Sequence, residues 1–132
     1  MMLDAILWWW GFRGRARHSG MRGLKDLRVY DAALLYSAAV SRFLGSISVP
    51  PSDAEQLRRS AKSIGDNIAE GHGYGVGKNR LRVYRIARGS AQESLNQLRG
   101  LLDDALLPRR EFYALYNLGR TIVKMLSEQI GD

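Results

Sequence analysis

The chain has 132 residues, 45% of them hydrophobic and 25% charged, which suits a single globular domain and argues against both a disordered chain and a membrane-embedded body. It contains no cysteine, so disulfides, thiolate metal sites and a cysteine nucleophile are excluded. Lys and Arg number 20 against 13 Asp and Glu, a net charge of +7, which favours polyanionic partners but is also compatible with simple solubilising charge.

Residues 1–20 differ in character from the rest of the chain. An apolar run, Ala5 to Trp10, precedes Arg13, Arg15 and Arg17, the reverse of a secretory signal's order, and the run falls well short of the roughly 20 residues a spanning helix needs. This segment reads as an extension, mobile or preceded by a mis-assigned start, with the folded domain over 21–132. Its tryptophans beside arginines leave open an interfacial or base-stacking role.

Four helices are predicted after it. From Leu24 to Leu44 the residues Leu27, Tyr30, Ala33, Leu34, Ser37, Val40 and Phe43 or Leu44 recur in steps of three and four, one face of a helix. Pro50 and Pro51 then forbid continuation. Ser52 with Glu55 three residues on forms a capping-box pattern that opens a second helix, whose stripe is Leu57, Ala61, Ile64 and Ile68 and whose end is expected at Gly71. A third helix is expected from Lys78 to Leu106, with Tyr84, Ala87, Ala91, Leu95, Leu98 and Leu102 on one side. Pro108 separates it from a fourth carrying Phe112, Leu115, Gly119, Ile122, Leu126 and Gln129 or Ile130. With no alternating β-type segment, the fold class is all-α, and four such rods on short connections most simply make an antiparallel up-down four-helix bundle.

The linker Gly71 to Gly77 has glycine at every second position, yet it comes after a helix and lacks a GKS or GKT ending, so it reads as an interhelical turn rather than a phosphate cradle. His18 and His72 are far apart and begin no metal-binding pair. No metal, cofactor or nucleophile signature is present, and the chain reads as a non-enzyme.

The run QLRRSAKSIGDNIAEGHG, Gln56 to Gly73, and RIARGSAQE, Arg85 to Glu93, resemble the bacterial four-helix-bundle family encoded in intervening sequences of 23S ribosomal RNA genes; LKDLRVYDAA, Leu24 to Ala33, looks like that family's first helix. That family is in turn similar to the accessory variability determinant of diversity-generating retroelements. The resemblance implies a homo-oligomeric, pentameric ring that contacts nucleic acid and a reverse transcriptase. Tyr74 stands where family members often carry arginine, which weakens a phosphate role for the turn itself.

Two sets of residues are candidates for function. Arg58, Arg59 and Lys62 on the second helix, with Lys78, Arg80, Arg82, Arg85 and Arg88 on the third, form the densest basic stretch, and no acidic residue lies between Gly71 and Gly89. Lys78, Arg82 and Arg85 share a helical face suited to tracking a phosphate backbone, with Tyr74 placed to stack on a base. Ser63, Asn67 and Glu70 opposite Ser90 and Glu93 are expected to form a structural polar network between helices two and three. Gly89 and Gly100, away from the core stripe, suit close packing against a neighbouring subunit.

These features support two functional readings. One is a cytoplasmic, non-catalytic, oligomeric bundle that binds RNA or single-stranded DNA through phosphates, accessory to a reverse transcriptase or another nucleic-acid enzyme. The alternative is a structural or protein-interaction assembly with no nucleic-acid ligand; neither reading involves a membrane.

Overall fold

The computed structural model describes residues 24–132; the extension expected over 1–20 lies outside them. Among the described residues there are four helices and no strand: α1 (Leu24–Ser46), α2 (Pro51–Tyr74), α3 (Lys78–Asp103) and α4 (Arg109–Ile130). Each helix packs on the next, α4 closes back on α1, and the broadest interface lies between α2 and α3. No helix among the described residues is long and apolar enough to cross a membrane.

The stripes on α2, α3 and α4 meet as predicted. Leu57, Ala61, Ile64 and Ile68 face Tyr84, Ala87, Ala91 and Leu98, with Phe112, Leu115, Ile122 and Leu126 completing the core. Leu102 stays only half-buried at its margin. Each large side chain that leaves water here contributes about 1.5–3 kcal/mol before the entropy of ordering it is counted.

On α1 the buried face keeps Leu27, Ala33, Val40 and Leu44 of the predicted stripe but is turned from it elsewhere. Val29, Ala32, Tyr36 and Ala39 are buried together with Ala33, Val40 and Leu44, whereas Leu34 is 45% exposed and Tyr30 half-buried. The helix is apolar on most sides, so its spacing alone admits more than one face; packing against α2 and α4 together chooses the one that carries Tyr36 inward. There the Tyr36 hydroxyl meets Ser94 Oγ at 2.8 Å.

Three helix ends also differ from expectation. The Ser52–Glu55 capping box does not form: α2 begins at Pro51, after Pro50, with no side-chain cap, and the Ala54 N–H donates to the Pro50 carbonyl at 3.1 Å. Proline suits this first position because the helix asks no hydrogen bond of its nitrogen. At the other end α2 runs through Gly71 to Tyr74 and is stopped by Gly75 at φ 75°. Gly71 serves packing instead of termination: a Cβ there would lie 2.6 Å from a Tyr84 ring carbon and 2.7 Å from Val83. Helix α3 stops at Asp103, short of Leu106, because Ala105 adopts φ 59° and the Leu106 N–H folds back to the Leu101 carbonyl at 2.9 Å.

Candidate nucleic-acid interface

Helix α3 places the basic stretch. It opens with Lys78 and has no acidic residue in its first turn, an arrangement opposite to the usual one, since the exposed N–H groups there already carry partial positive charge. Lys78, Arg82 and Arg85 recur at steps of four and three, are exposed, and make no ion pair among the described residues. Lys78 therefore adds to the positive end of the helix, and Arg82 and Arg85 continue the same solvated face one and two turns further on.

Two residues of the predicted interface are engaged within the fold. Arg80 points inward and pairs with Asp26, its guanidinium lying 5.1 Å from the centre of the Tyr84 ring. Its side chain is 13% exposed and that of Asp26 7%. The Tyr84 hydroxyl donates to the same carboxylate at 3.3 Å, and His72 Nδ1 sits 3.9 Å from its other oxygen. Burial, reinforced by the negative Asp26 and opposed by Arg80, pushes the Tyr84 phenol up to about 12. Arg88 likewise serves the fold, donating to Ser127 Oγ at 3.1 Å and to Asp132 at 2.9 Å, which ties α3 to the end of α4. On the wheel of α3 both arginines lie off the solvent face that Lys78, Arg82 and Arg85 share, and local charge density gives no warning of this.

The second-helix cations form a separate group. Arg58 is exposed and has no ion pair among the described residues, Arg59 lies 3.9 Å from Glu55, and Lys62 donates to Asp66 at 2.9 Å. Exposed pairs of this kind are worth little and are readily exchanged for phosphate. Contacts between Ser63 and Ser90 and between Ser60 and Gln97 set Lys62 beside the middle of α3. Arg82 then lies about seven to ten residues nearer the start of that helix, roughly 10–15 Å away along the axis.

The expected polar network exists in part. Ser63 and Ser90 hydroxyls meet at 2.9 Å, and Asn67 Nδ2 donates to the Ser63 carbonyl at 2.8 Å and its hydroxyl at 3.0 Å. Glu93 belongs to a second group, accepting from Gln97 Nε2 at 3.3 Å while Gln97 Oε1 accepts from Ser60 at 2.6 Å. Glu70 joins neither; it is exposed and accepts from the Tyr74 hydroxyl at 3.0 Å. Tyr74 is thus the last residue of α2 rather than part of a loop, with a half-exposed ring.

The sequence profile of the 23S rRNA-intervening sequence proteins matches residues 25–128. The chain belongs to that family. The match takes in all of the basic stretch and both polar groups of this intervening-sequence protein. The same fold occurs in the 1.70 Å crystal structure of a protein of unknown function from the S23 ribosomal protein family of Bacteroides thetaiotaomicron VPI-5482. That structure gives a TM-score of 0.74 and 24% identity over 79% of this chain and 99% of the other. No curated protein matches the intervening-sequence protein.

Two features of this intervening-sequence protein escape a reading of the sequence. Asp26 is the counter-ion of the buried arginine, and its only local sign is a carboxylate beside apolar Leu27 at the head of α1. The outward face of α4 carries Arg110, Tyr113, Asn117, Arg120 and Lys124, visible as a polar stripe opposite the predicted core stripe once both faces of the wheel are read.

Proposed function

We propose that this protein is a non-catalytic basic bundle that binds RNA or single-stranded DNA through phosphates. The observation that carries the reading is the set Lys78, Arg82 and Arg85, exposed along one face of the first turns of α3 and without an ion pair among the described residues. A bound phosphate would relieve the repulsion among these charges and release counterions from the polyanion. Arg58, Arg59 and Lys62 extend the positive surface further along the bundle.

The architecture is read as an antiparallel up-down bundle, supported by Asp26 at the start of α1 meeting His72 near the end of α2, and by the opposite running of the contacts Ser60 with Gln97 and Ser63 with Ser90 between α2 and α3. Assembly into a homo-oligomeric, pentameric ring would repeat the basic set around an axis, so that one strand meets several copies and modest contacts add as avidity. Gly89 and Gly100 support such packing: both are exposed on α3 with nothing within 4 Å of a notional Cβ. In this reading the ring works in the cytoplasm beside a nucleic-acid enzyme such as a reverse transcriptase.

The deciding experiment is titration of labelled RNA against the parent and an Arg82→Glu/Arg85→Glu variant across a salt series. The variant is expected to bind more weakly and with a shallower dependence on salt; equal binding would remove this face from the interface. A second reading, a protein-interaction assembly, draws on the apolar groups beside the cations, since Val76 is 84%, Tyr74 48% and Ile86 44% exposed. Capture of a protein partner by a chain with no RNA affinity would favour it.

A further inference from the structure

The outward face of α4 is the least explained surface of the molecule. Arg110, Tyr113, Asn117, Arg120 and Lys124 succeed one another at steps of three, four, three and four, and all five are exposed. The three cations make no ion pair among the described residues, and no exposed acidic residue interrupts the strip before Glu128. The half-buried Glu111 lies on another side of the helix.

Tyr113 is the unusual member. It is 49% exposed, yet its ring is held from beneath, edge-on to the buried Phe112 with centroids 5.2 Å apart and planes at 72°. Phe112 is in turn stacked on Tyr116 at 4.9 Å, and Arg99 from α3 covers that pair, its guanidinium 5.4 Å from the Tyr116 ring. An aromatic anchored in this way loses little freedom when a flat ligand lies on its outer face. A solvated tyrosine among unpaired cations is poorly explained by solubility alone, because charge without the ring would serve that purpose better.

We infer that the α4 strip is a platform for single-stranded nucleic acid, with one base stacked on Tyr113 and the flanking phosphates met by Arg110, Arg120 and Lys124. The inference rests on the nucleic-acid reading above and narrows its substrate to unpaired strands, whose bases alone can reach an aromatic face. Charge complementarity fixes the occupant: a strip with cations and no carboxylate suits a polyanion. Arg110 to Lys124 spans about 21 Å of helix, room for roughly six nucleotides of a stacked strand at about 3.4 Å each. Duplex would offer the same phosphates but no free base, so the strip should discriminate between them.

The test is fluorescence anisotropy of the full chain with a labelled mixed-sequence RNA of about twelve nucleotides, alone and annealed to its complement. Tyr113→Ala is expected to lose about five- to hundredfold in affinity for the single strand and to leave duplex affinity unchanged, with Tyr113→Phe close to the parent. The Arg110→Gln/Arg120→Gln/Lys124→Gln variant, altered only at exposed positions, is expected to flatten the salt dependence on single strands by about two logarithmic units per decade of salt. Single-strand binding untouched by either variant but weakened by Arg82→Glu/Arg85→Glu would overturn the α4 platform and leave the α3 reading in place. Absence of RNA binding by the parent would overturn both. Loss of self-association in the glutamine variant with unchanged RNA affinity would assign the strip to a second copy of the chain and overturn the platform as well.

Discussion

Arg80 on α3 donates to the carboxylate of Asp26 on α1, a pair separated by 54 positions in the chain and almost wholly withdrawn from water. Such a pair is costly to break and cheap to replace whole. Asp26→Asn is expected to destabilise the protein by about 3–5 kcal/mol, because it leaves a guanidinium buried without its charge partner. Asp26→Leu combined with Arg80→Met should cost clearly less than the two single changes added together. Urea denaturation of the parent and these variants measures the difference; strict additivity would show that the two side chains are energetically independent.

The same logic separates the arginines by what they do. Arg88→Gln is expected to lower stability by about 1 kcal/mol, through lost bonds to Ser127 and Asp132, and to leave RNA affinity unchanged. Arg82→Glu/Arg85→Glu should do the opposite, weakening RNA binding with little effect on the thermal midpoint, since both side chains stand in solvent. A melting curve beside each binding isotherm distinguishes the two classes.

The glycines divide in a comparable way. Gly71→Ala is expected to destabilise by about 1–3 kcal/mol, because the added methyl would sit 2.6 Å from a Tyr84 ring carbon and 2.7 Å from Val83, whereas Gly119→Ala, which meets the end of the flexible Leu95 side chain at 2.6 Å and the Tyr36 ring at 3.3 Å, should cost less. Gly89→Ala and Gly100→Ala, with nothing within 4 Å, should stabilise the monomeric fold by about 0.5–1 kcal/mol. Ala105→Gly should also stabilise, since φ 59° is a conformation that alanine resists. Thermal denaturation of these five variants checks the signs, and a destabilised Gly89→Ala would point to a packed surface there.

Tyr36 and Ser94 form a polar contact wholly withdrawn from water. Ser94 Oγ donates to the Ala91 carbonyl at 2.7 Å, which leaves its lone pair to accept from the Tyr36 hydroxyl. Ser94→Ala should cost about 1–3 kcal/mol by stranding that hydroxyl in the core, and adding Tyr36→Phe should recover part of the loss. Chemical denaturation of the single and double variants supplies the comparison.

Alkaline pH probes the buried phenols together. Burial raises the Tyr36 phenol far above its ordinary value, opposed only by the Ser94 hydrogen bond, and lifts that of Tyr84 to about 12. In the unfolded chain both would titrate near 10. The folded state therefore holds its phenolic protons more tightly; the resulting stability is complete below about pH 10 and falls as pH rises through 12. The loss should reach at most about 1.4 kcal/mol per pH unit for each tyrosine. Melting temperatures between pH 8 and 12 should decline less steeply in Tyr36→Phe than in the parent, and parallel curves would argue against a titrating core.

Much of this molecule is legible in its residues taken in order. Apolar spacing marks three of the four buried faces, from Leu57 to Ile68, Tyr84 to Leu98 and Phe112 to Leu126, because each helix there has a polar side to contrast with its apolar one. Helix α1 lacks that contrast, so the spacing around Leu34 misleads and only its neighbours decide that Tyr36 turns inward. Gly71 reads as a terminator when its backbone freedom is considered alone. It becomes a packing site once Tyr84, far along the chain, is laid against it.

The sequence by itself determined the four rods, their proline breaks, and the excess of positive charge, since each depends on residues within a few turns of one another. The tertiary structure alone decided which of those charges remain available. Neutralisation of Arg80 requires a carboxylate from another helix, brought near by packing, and no local pattern records that encounter.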